Sequence, residues 1–389
     1  MPSESLFHVI FVIFTGAALA ATLALYARQA LLVAYIFLGV LLGPSMLGWV
    51  HDAEVIQGIS EVGIIFLLFL LGLDLPARKL LSLVGETTLV TGVSSLLFGA
   101  AGWGLAAAFG YGTTDSLLVG AALMFSSTIL GLKLLPTTIL HHKRTGEIIV
   151  SILLLQDLIA IVILLALQFM GGMEVGAVRL TLLVVSLPLL FLVAYVLDRF
   201  VLLPLIQRFD TIQEYIFLLA IGWCLGFAEL AVALGLSQEI GAFIAGVVLA
   251  TSPIAMFIAE SLKPLRDFFL VMFFFSLGAG FDLSVLDEVW LPALLLAGGG
   301  MLLKPLVFRW LLVRSGELPE RAGEIGWRLG QISEFSLLIA VLALELNIIS
   351  REAGYLIQAA TILSFIASSY LIVMRYPTPI AVSEKLRRN

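Results

Sequence analysis

The chain has 389 residues, of which 61% are hydrophobic and 12% charged, with a formal net charge of −6. Soluble domains carry about 25% charged residues, so this composition excludes a water-soluble protein and makes membrane lipid the first predicted partner. The negative charge and the lack of a basic patch argue against a nucleic-acid partner. The single cysteine, Cys224, excludes an intramolecular disulfide framework.

Thirteen runs of mostly apolar residues are candidates for membrane-spanning helices, which need about 20 residues each. The first run follows Glu4 and has no Lys or Arg before it, so we predict a retained helix rather than a cleavable signal peptide. The predicted fold class is therefore an all-α polytopic membrane protein. The predicted spans, in order, are 6–26, 29–49, 56–74, 85–110, 114–138, 147–170, 177–203, 212–235, 238–259, 267–284, 290–313, 321–347 and 353–375.

Lysine and arginine are distributed unevenly between the junctions that join these spans. Of the 21 basic residues, 16 lie in odd-numbered junctions or near the C-terminus, only Arg179 and Arg351 lie in even-numbered junctions, and three lie inside predicted spans, namely Lys133, Lys304 and Arg309. The 16 are Arg28, Arg78, Lys79, Lys143, Arg144, Arg199, Arg208, Lys263, Arg266, Arg314, Arg321, Arg328, Arg375, Lys385, Arg387 and Arg388. Basic residues concentrate in cytoplasmic loops. The pattern therefore predicts an N-terminus outside the cell and a C-terminus in the cytoplasm.

A polar pair, Gln156-Asp157, lies in the middle of the apolar segment 148–170. A carboxylate at bilayer depth is unfavourable unless it is paired, hydrated or bound to an ion, so Asp157 is a candidate ion-binding residue. Lys304, near the middle of span 11, needs a buried partner for the same reason, and Asp157, Glu334 or a carbonyl of a broken helix could serve. Two alternatives stay open: Asp157 as a structural helix partner, and Lys304 as a side chain that snorkels to the interface.

Three short matches recur along the chain at almost one offset. Each match joins spans that are seven apart, and an odd number of crossings reverses orientation, as in the inverted repeats of secondary transporters. We predict spans 1–6 and 8–13 as inverted repeats linked by span 7, within a transmembrane domain at 1–375 that is followed by a cytoplasmic tail at 376–389. The matched residues are Gly39 and Gly246, 207 apart, Asp74 and Asp282, 208 apart, and Ser126 and Ser333, 207 apart.

Polar patches interrupt the apolar sequence at equivalent positions of spans 5 and 12. Unwound backbone is tolerated at membrane depth only where it is buried or lines a cavity, so these patches predict two discontinuous helices that frame a binding site. The alternative is two intact helices in which hydroxyl groups bond to the preceding turn. The patch residues are Ser126, Ser127 and Thr128 in span 5, and Gly330, Gln331, Ser333 and Glu334 in span 12.

Six sequence strings in this order resemble the Kef-type branch of the monovalent cation:proton antiporters. They extend from span 2 to span 12, so the resemblance covers nearly the whole chain. The strings are 39–48 (GVLLGPSMLG), 63–75 (GIIFLLFLLGLDL), 126–128 (SST), 156–157 (QD), 235–249 (GLSQEIGAFIAGVVL) and 330–335 (GQISEF).

The resemblance implies a sodium/proton antiporter-like fold: a homodimer in the bacterial inner membrane, with thirteen helices per protomer and two crossing discontinuous helices at the ion site. Carried over by motif, Asp157 is the carboxylate for cation and proton, Gln156 is its neighbour, and Lys304 is the core lysine that faces this pair. Full-length Kef proteins add a cytoplasmic nucleotide-binding domain. This sequence ends shortly after span 13, so a separate cytoplasmic regulatory subunit could act in its place.

The leading hypothesis is exchange of a monovalent cation for protons, with cation and proton competing for Asp157; the residues do not decide between K⁺ and Na⁺, and the resemblance favours K⁺. Oxygens of 126–128, of Gln156 and of the broken helices would replace the hydration shell of the ion, and Glu334 either stabilises the break or lies on the ion path. Two alternatives are a gated K⁺ channel, for which no selectivity-filter sequence is present, and an organic-anion symporter. We predict neither an enzyme nor a cofactor, because no catalytic Ser/His/Asp set, metal cluster or Walker loop occurs.

Overall fold

A computed structural model describes residues 6–27, 29–50, 53–73, 87–135, 144–171, 177–209, 212–252 and 255–378. Within these ranges the chain is helical almost throughout, as predicted. The helices are α1 (Leu6–Tyr26), α2 (Leu31–Leu42), α3 (Ala53–Leu73), α4 (Thr87–Ala108), α5 (Thr113–Met124), α6 (Thr128–Lys133), α7 (Arg144–Gly171), α8 (Ala177–Leu197), α9 (Leu203–Arg208), α10 (Gln213–Ala233), α11 (Gln238–Ala250), α12 (Ala255–Ala279), α13 (Leu286–Arg314), α14 (Pro319–Arg328), α15 (Glu334–Glu345) and α16 (Arg351–Arg375).

Seven apolar stretches among the described residues are long enough to cross a membrane, so the chain is an integral membrane protein. Other apolar helices, such as α2 and α5, are shorter than the roughly 20 residues that a full crossing needs. The count of thirteen spans therefore stays a prediction. The seven stretches are Phe7–Tyr26, Thr87–Ala108, Arg144–Leu164, Val185–Arg208, Glu214–Ala233, Leu283–Arg314 and Arg351–Arg375.

One predicted boundary is wrong by about three helical turns. Span 10 was predicted at 267–284, whereas α12 extends from Ala255 to Ala279. Lys263, interpreted as a junction residue, lies inside this helix and its Nζ is 2.5 Å from Oε1 of Glu260. The apolar run detects only the part of a helix that lies at membrane depth, because a helix continues through charged surface residues without a change in its backbone.

Some predicted features lie outside the described residues. These are Arg28, Asp74, Arg78, Lys79, Lys143 and the tail beyond 378.

Five helix starts in the second half of the chain repeat helix starts in the first half at almost one offset. α1 begins at Leu6 and α10 at Gln213, 207 residues later. The same spacing of 207 separates the starts of α2 and α11 and those of α7 and α16. For α5 and α14, and for α6 and α15, the spacing is 206. The offset found in three short sequence matches thus recurs in these helix bounds, with α8 and α9 between the two series.

The helices form two compact units. The first comprises Met1–Thr15, Leu38–Leu81 and Gly172–Gly280, and in it two glycines allow helix backbones to approach closely. A Cβ on Gly39 of α2 would overlap the carbonyl of Phe275 on α12, and a Cβ on Gly246 of α11 would overlap the carbonyl of Phe69 on α3. These two glycines are the matched pair 207 residues apart that is noted above, so part of the repeat signal reflects helix packing.

Replacing Gly246 with alanine is expected to destabilise the protein by about 1–3 kcal/mol, because the added methyl group must displace the α3 backbone. The matched control is Gly298→Ala on α13, where a Cβ would meet nothing within 4 Å. We expect that control to be neutral or slightly stabilising, since alanine is the better helix former. Unfolding in detergent, followed by intrinsic fluorescence, measures both variants; equal stability of the two would contradict this account of the packing.

The second unit comprises Gly16–Phe37, Ser82–Gly171 and Phe281–Asn389. In it α4 packs on α5, α13 packs on α14 and α16, and α15 contacts α5, α7 and α16. All residues predicted for the ion site lie in this unit.

Candidate functional site

The first predicted interruption lies between α5 and α6. α5 ends at Met124, and Phe125 follows in extended backbone with φ −97° and ψ 147°. Ser127 starts the next helix at Thr128, because its Oγ accepts a hydrogen bond from the amide of Leu130 at 3.1 Å, as an N-cap residue does. The three residues between these helices form a stretch of non-helical backbone.

The second interruption lies between α14, which ends at Arg328, and α15, which begins at Glu334. Ser333 is extended, with φ −97° and ψ 156°, and its Oγ accepts a hydrogen bond from the amide two residues later at 3.1 Å. Gly330 and Gln331 lie in the non-helical stretch before it. The helix stops and restarts at the residues that the sequence indicated.

The two interruptions contact each other directly. Oγ of Ser126 donates a hydrogen bond to the carbonyl of Leu329 at 2.7 Å, and Nε2 of Gln331 donates to the carbonyl of Ser127 at 3.3 Å. Each break therefore donates a side-chain hydrogen bond to a backbone carbonyl of the other; the carbonyl of Ser127 also accepts a hydrogen bond from the amide of Gly131 at 3.0 Å.

Gln156 on α7 supports the first break from the side. Its Oε1 accepts a hydrogen bond from the amide of Ser126 at 3.0 Å, and its Nε2 donates to the carbonyl of Met124 at 3.1 Å. One carboxamide thus pairs a backbone donor and a backbone acceptor that lie where α5 ends. Its oxygen, predicted as an ion ligand, is already bonded to the protein.

Asp157 lies beside this break and is 1% exposed within the structure. Oγ1 of Thr128 donates to both carboxylate oxygens, at 3.2 and 3.1 Å. Glu334, the first residue of α15, belongs to the second break, which is hydrogen-bonded to the first break beside Asp157. The residues predicted from two distant parts of the chain therefore converge at this carboxylate.

Lys304 on α13 bonds to both breaks at once. Its Nζ donates to the carbonyl of Phe125 at 2.5 Å and to the carbonyl of Gln331 at 2.9 Å, and it lies 5.5 Å from the centre of the Phe98 ring. The side chain is fully buried, unlike a snorkelling lysine. Of the three partners predicted for Lys304, the carbonyls of the broken helices are the ones that it contacts. Among the described residues no ion pair joins Lys304 to Asp157.

Sequence reasoning missed hydroxyl groups on α16 that support the second break. Oγ of Ser364 accepts a hydrogen bond from the amide of Ile332 at 3.0 Å, and Oγ of Ser368 donates to Oε1 of Gln331 at 3.1 Å. These two serines and Thr361 are buried at helical spacing on one face of α16. A row of hydroxyl residues in an apolar helix was the signal that could have identified them.

An ion-pair cluster lies near the start of α14. Glu317 accepts hydrogen bonds from Nε of Arg144 at 2.6 Å and from Nη1 of Arg321 at 2.7 Å. Burial would raise the pKa of the Glu317 carboxyl, but the two arginines outweigh this effect and hold its pKa below the usual value. The cluster therefore ties the start of α7, the helix of Asp157, to the start of the second broken helix.

Acidic residues surround a cleft of about 350 Å³ at the start of the first broken helix. Asp115, Glu288 and Glu352 line this cleft, and Asp115 accepts hydrogen bonds from the amide and the Oγ of Ser350, at 3.0 and 2.7 Å. The residues of this cleft come from three predicted outer junctions.

A divalent-metal centre is not indicated by the side chains that the structure describes. In the described ranges no group of three or more His, Cys, Asp and Glu residues could hold a metal ion. The oxygens that the structure places at Asp157 are its own carboxylate and the hydroxyl of Thr128, the kind of oxygen ligand that suits a hard cation.

Comparison with known proteins identifies the family. Residues 10–374 match the family model for the transmembrane domain of sodium/hydrogen exchangers. The chain is 30% identical over 354 residues to the iron transporter MagA of Paramagnetospirillum magneticum, covering 90% of this chain and 81% of that protein. It is 28% identical to the glutathione-regulated potassium-efflux system protein KefC of Cronobacter sakazakii, covering 87% of this chain and 56% of that protein.

A solved structure has the same fold. The sodium proton antiporter MjNhaP1 from Methanocaldococcus jannaschii superposes with a TM-score of 0.68 and covers 94% of this chain and 95% of that chain, at 18% sequence identity. The fold class predicted from the resemblance is thereby confirmed at the level of an antiporter-like helical membrane fold. From the sequence match over nearly its whole length, the chain belongs to the sodium/hydrogen exchanger family of membrane transporters, with Kef-type potassium-efflux proteins among its relatives.

Proposed function

We propose that the protein exchanges a monovalent cation for protons by alternating access, with cation and proton competing for Asp157. The observation that carries the proposal is a carboxylate that is 1% exposed and hydrogen-bonded by Thr128 alone among the described residues. A buried carboxylate without a compensating charge is strongly unfavourable. The site is therefore stable only with a proton or a cation bound, and this requirement couples the two fluxes.

The polar surroundings favour a cation over an organic anion. Asp157 and Glu334 are the acidic side chains at the two breaks, while the ammonium group of Lys304 is bonded to the backbone carbonyls of Phe125 and Gln331. A cation can take oxygens from Asp157, Thr128 and the broken helices in place of water. We propose K⁺ as the preferred ion because relatives such as KefC are potassium-efflux proteins, and Na⁺ as the competitor.

Exchange is proposed to be electroneutral, one cation for one proton. Gln156 occupies the position beside Asp157 where a second acid would add a second titratable group, and its carboxamide is bonded on both sides to the break. Glu334 is the first residue of α15, where a carboxylate stabilises a helix start. We assign it to the break rather than to proton transfer.

Inverted repeats are proposed as the basis of alternating access. The recurrence of helix starts at 206 or 207 residues supports two structurally similar halves joined by α8. The thirteen-span topology with the N-terminus outside, the homodimer, the inner-membrane location and a separate cytoplasmic regulatory subunit belong to the same proposal.

Purified protein in liposomes with an imposed pH gradient tests this function. External K⁺ or Na⁺ is expected to drive saturable proton movement, read with a pH-sensitive dye, and the rate is expected to be unchanged when the membrane potential is clamped. Cation flux that needs no proton gradient and does not saturate would favour a channel and overturn the proposal. A cation response that depends on a co-transported organic anion would favour a symporter.

A further inference from the structure

Arg328 is a buried arginine that the proposed ion chemistry does not use. It is 1% exposed, and a buried charge is tolerated only when it is paired and hydrogen-bonded. Its Nε donates to Oε1 of Glu324 at 2.9 Å within the same half-helix, α14. The other two guanidinium nitrogens bond to main-chain carbonyls of two different parts of the chain.

The first carbonyl belongs to the end of the other broken helix. Nη1 of Arg328 donates to the carbonyl of Leu134 at 3.1 Å, directly after α6. A cation at this position satisfies a carbonyl that has no partner within the helix and interacts favourably with the negative end of the helix dipole. Arg328 therefore joins the half-helix before the second break to the half-helix after the first.

The second carbonyl belongs to the segment that follows the last helix. Nη2 of Arg328 donates to the carbonyl of Pro377 at 2.9 Å, and its guanidinium lies 5.4 Å from the centre of the Tyr376 ring. Beside it, the guanidinium of Arg375 lies 5.6 Å from the Trp327 ring. Thr378 is fully buried. The segment 376–378 is thus held against the end of α14.

Arg328 and its acceptor Leu134 each lie close along the chain to residues of the candidate ion site. The residue after Arg328 is Leu329, whose carbonyl accepts the hydrogen bond from Ser126 in the first break. On the other side, α6 is a helix of 6 residues, about 9 Å long at 1.5 Å per residue. Its first residue, Thr128, bonds to Asp157, and Leu134 directly follows its last residue, so one short helix separates the Arg328 bond from the carboxylate.

We propose that Arg328 is a positioning residue that couples the segment 376–378 to the cation site, so that movement of this segment changes the affinity for the transported cation. The inference rests on the proposed function for the identity of the ion. It adds a control point: a cytoplasmic partner or a following chain segment that displaces 376–378 would act on the two breaks through Arg328 without touching Asp157. Because coupling between two sites is reciprocal, cation binding must in turn stabilise 376–378.

Hydrogen–deuterium exchange of the full-length protein tests the reciprocal effect, with K⁺ or Na⁺ compared against N-methylglucamine. Saturating cation is expected to slow amide exchange in peptides that contain Tyr376 and Thr378, and this effect is expected to disappear in Asp157→Asn and in Arg328→Lys. If a thermal shift shows that wild-type protein binds the cation but amide exchange at 376–378 does not change, the proposed coupling is overturned.

Transport kinetics test the direct effect. Arg328→Lys keeps the charge but replaces the planar guanidinium group, which donates from three nitrogens, with one ammonium nitrogen. The lysine cannot bond all three acceptors in the same geometry. We expect its KM for the cation to rise about 5-fold or more, the lower bound of typical coupling, with kcat little changed. The matched control is Arg314→Lys at the exposed end of α13, whose guanidinium lies 4.8 Å from the centre of the Trp310 ring, and this variant is expected to leave KM unchanged.

The outcomes separate this inference from the proposed function. A merely structural role would lower the unfolding temperature of Arg328→Lys and leave KM at the wild-type value, which would overturn the coupling. If wild-type protein exchanges no protons but cation still protects 376–378, the coupling holds and the proposed exchange function fails. If wild type exchanges ions and neither measurement changes, only the coupling fails.

Discussion

Replacing Asp157 with asparagine is expected to reduce cation–proton exchange to the rate of liposomes without protein. Asparagine has nearly the same shape and keeps an oxygen that accepts the hydrogen bond from Thr128, but it neither binds a proton nor carries a charge. The variant is expected to be at least as stable as wild type, and up to about 1–3 kcal/mol more stable, because an unpaired buried charge has been removed. Proteoliposome flux and unfolding in detergent, measured on one preparation, check both expectations.

Two further variants test whether the loss of exchange is specific to the carboxylate of Asp157. Asp157→Glu keeps the carboxylate but displaces it by one methylene group, so reduced exchange with a raised KM is expected rather than complete loss. The control Asp267→Asn changes an exposed acid that lies 3.7 Å from Arg266, and it is expected to exchange normally. Substantial exchange by Asp157→Asn would remove Asp157 from the mechanism and with it the proposed competition.

The break positions were predictable because their cause is local. A serine whose Oγ accepts a hydrogen bond from a backbone amide two or three residues later favours the start of a helix. Ser127 and Ser333 form such bonds in otherwise apolar sequence. Asp157 was predictable because a lone carboxylate in an apolar segment has few explanations. These signals lie within short stretches of sequence, so they can be found without knowledge of the fold.

The partners of these groups were less predictable because they depend on packing between distant segments. Lys304 was expected to have a buried partner, but only the contact between the two breaks brings the carbonyls of Phe125 and Gln331 to one ammonium group. Arg328 was counted as a charged junction residue, yet it is 1% exposed. Counting charges along a sequence does not distinguish an arginine in solvent from one that bonds to three separate acceptors.

Span counting is limited for a related reason. Discontinuous helices divide one crossing into two short pieces, such as α5 and α6, and neither piece alone is as long as a membrane crossing. The hydropathy of the whole segment, which includes the polar break, predicts a span at 114–138 but does not give its internal structure. The polar residues that weaken the hydropathy signal are the same residues that build the site.

Replacing Lys304 with methionine is expected to destabilise the protein by about 3–5 kcal/mol, because two buried carbonyls lose their donor when one partner of a buried polar network is removed. Exchange is expected to be lost as well, since Lys304 is the donor that joins the non-helical backbone of both breaks. Lys304→Arg keeps the charge and the donors but adds volume in a fully buried position, so we expect an intermediate loss of stability.

Lys263→Met on α12 is the matched control for this loss, because Lys263 forms an exposed ion pair with Glu260. Exposed pairs contribute little, so its effect on the free energy of unfolding is expected to lie within about 0.5 kcal/mol. Unfolding in mixed detergent micelles compares the three variants with wild type. If Lys304→Met matched Lys263→Met in stability, the two carbonyls would have to find other donors. The breaks would then be held together by the direct contacts of Ser126 and Gln331, and the ammonium group would act on the site through its charge alone.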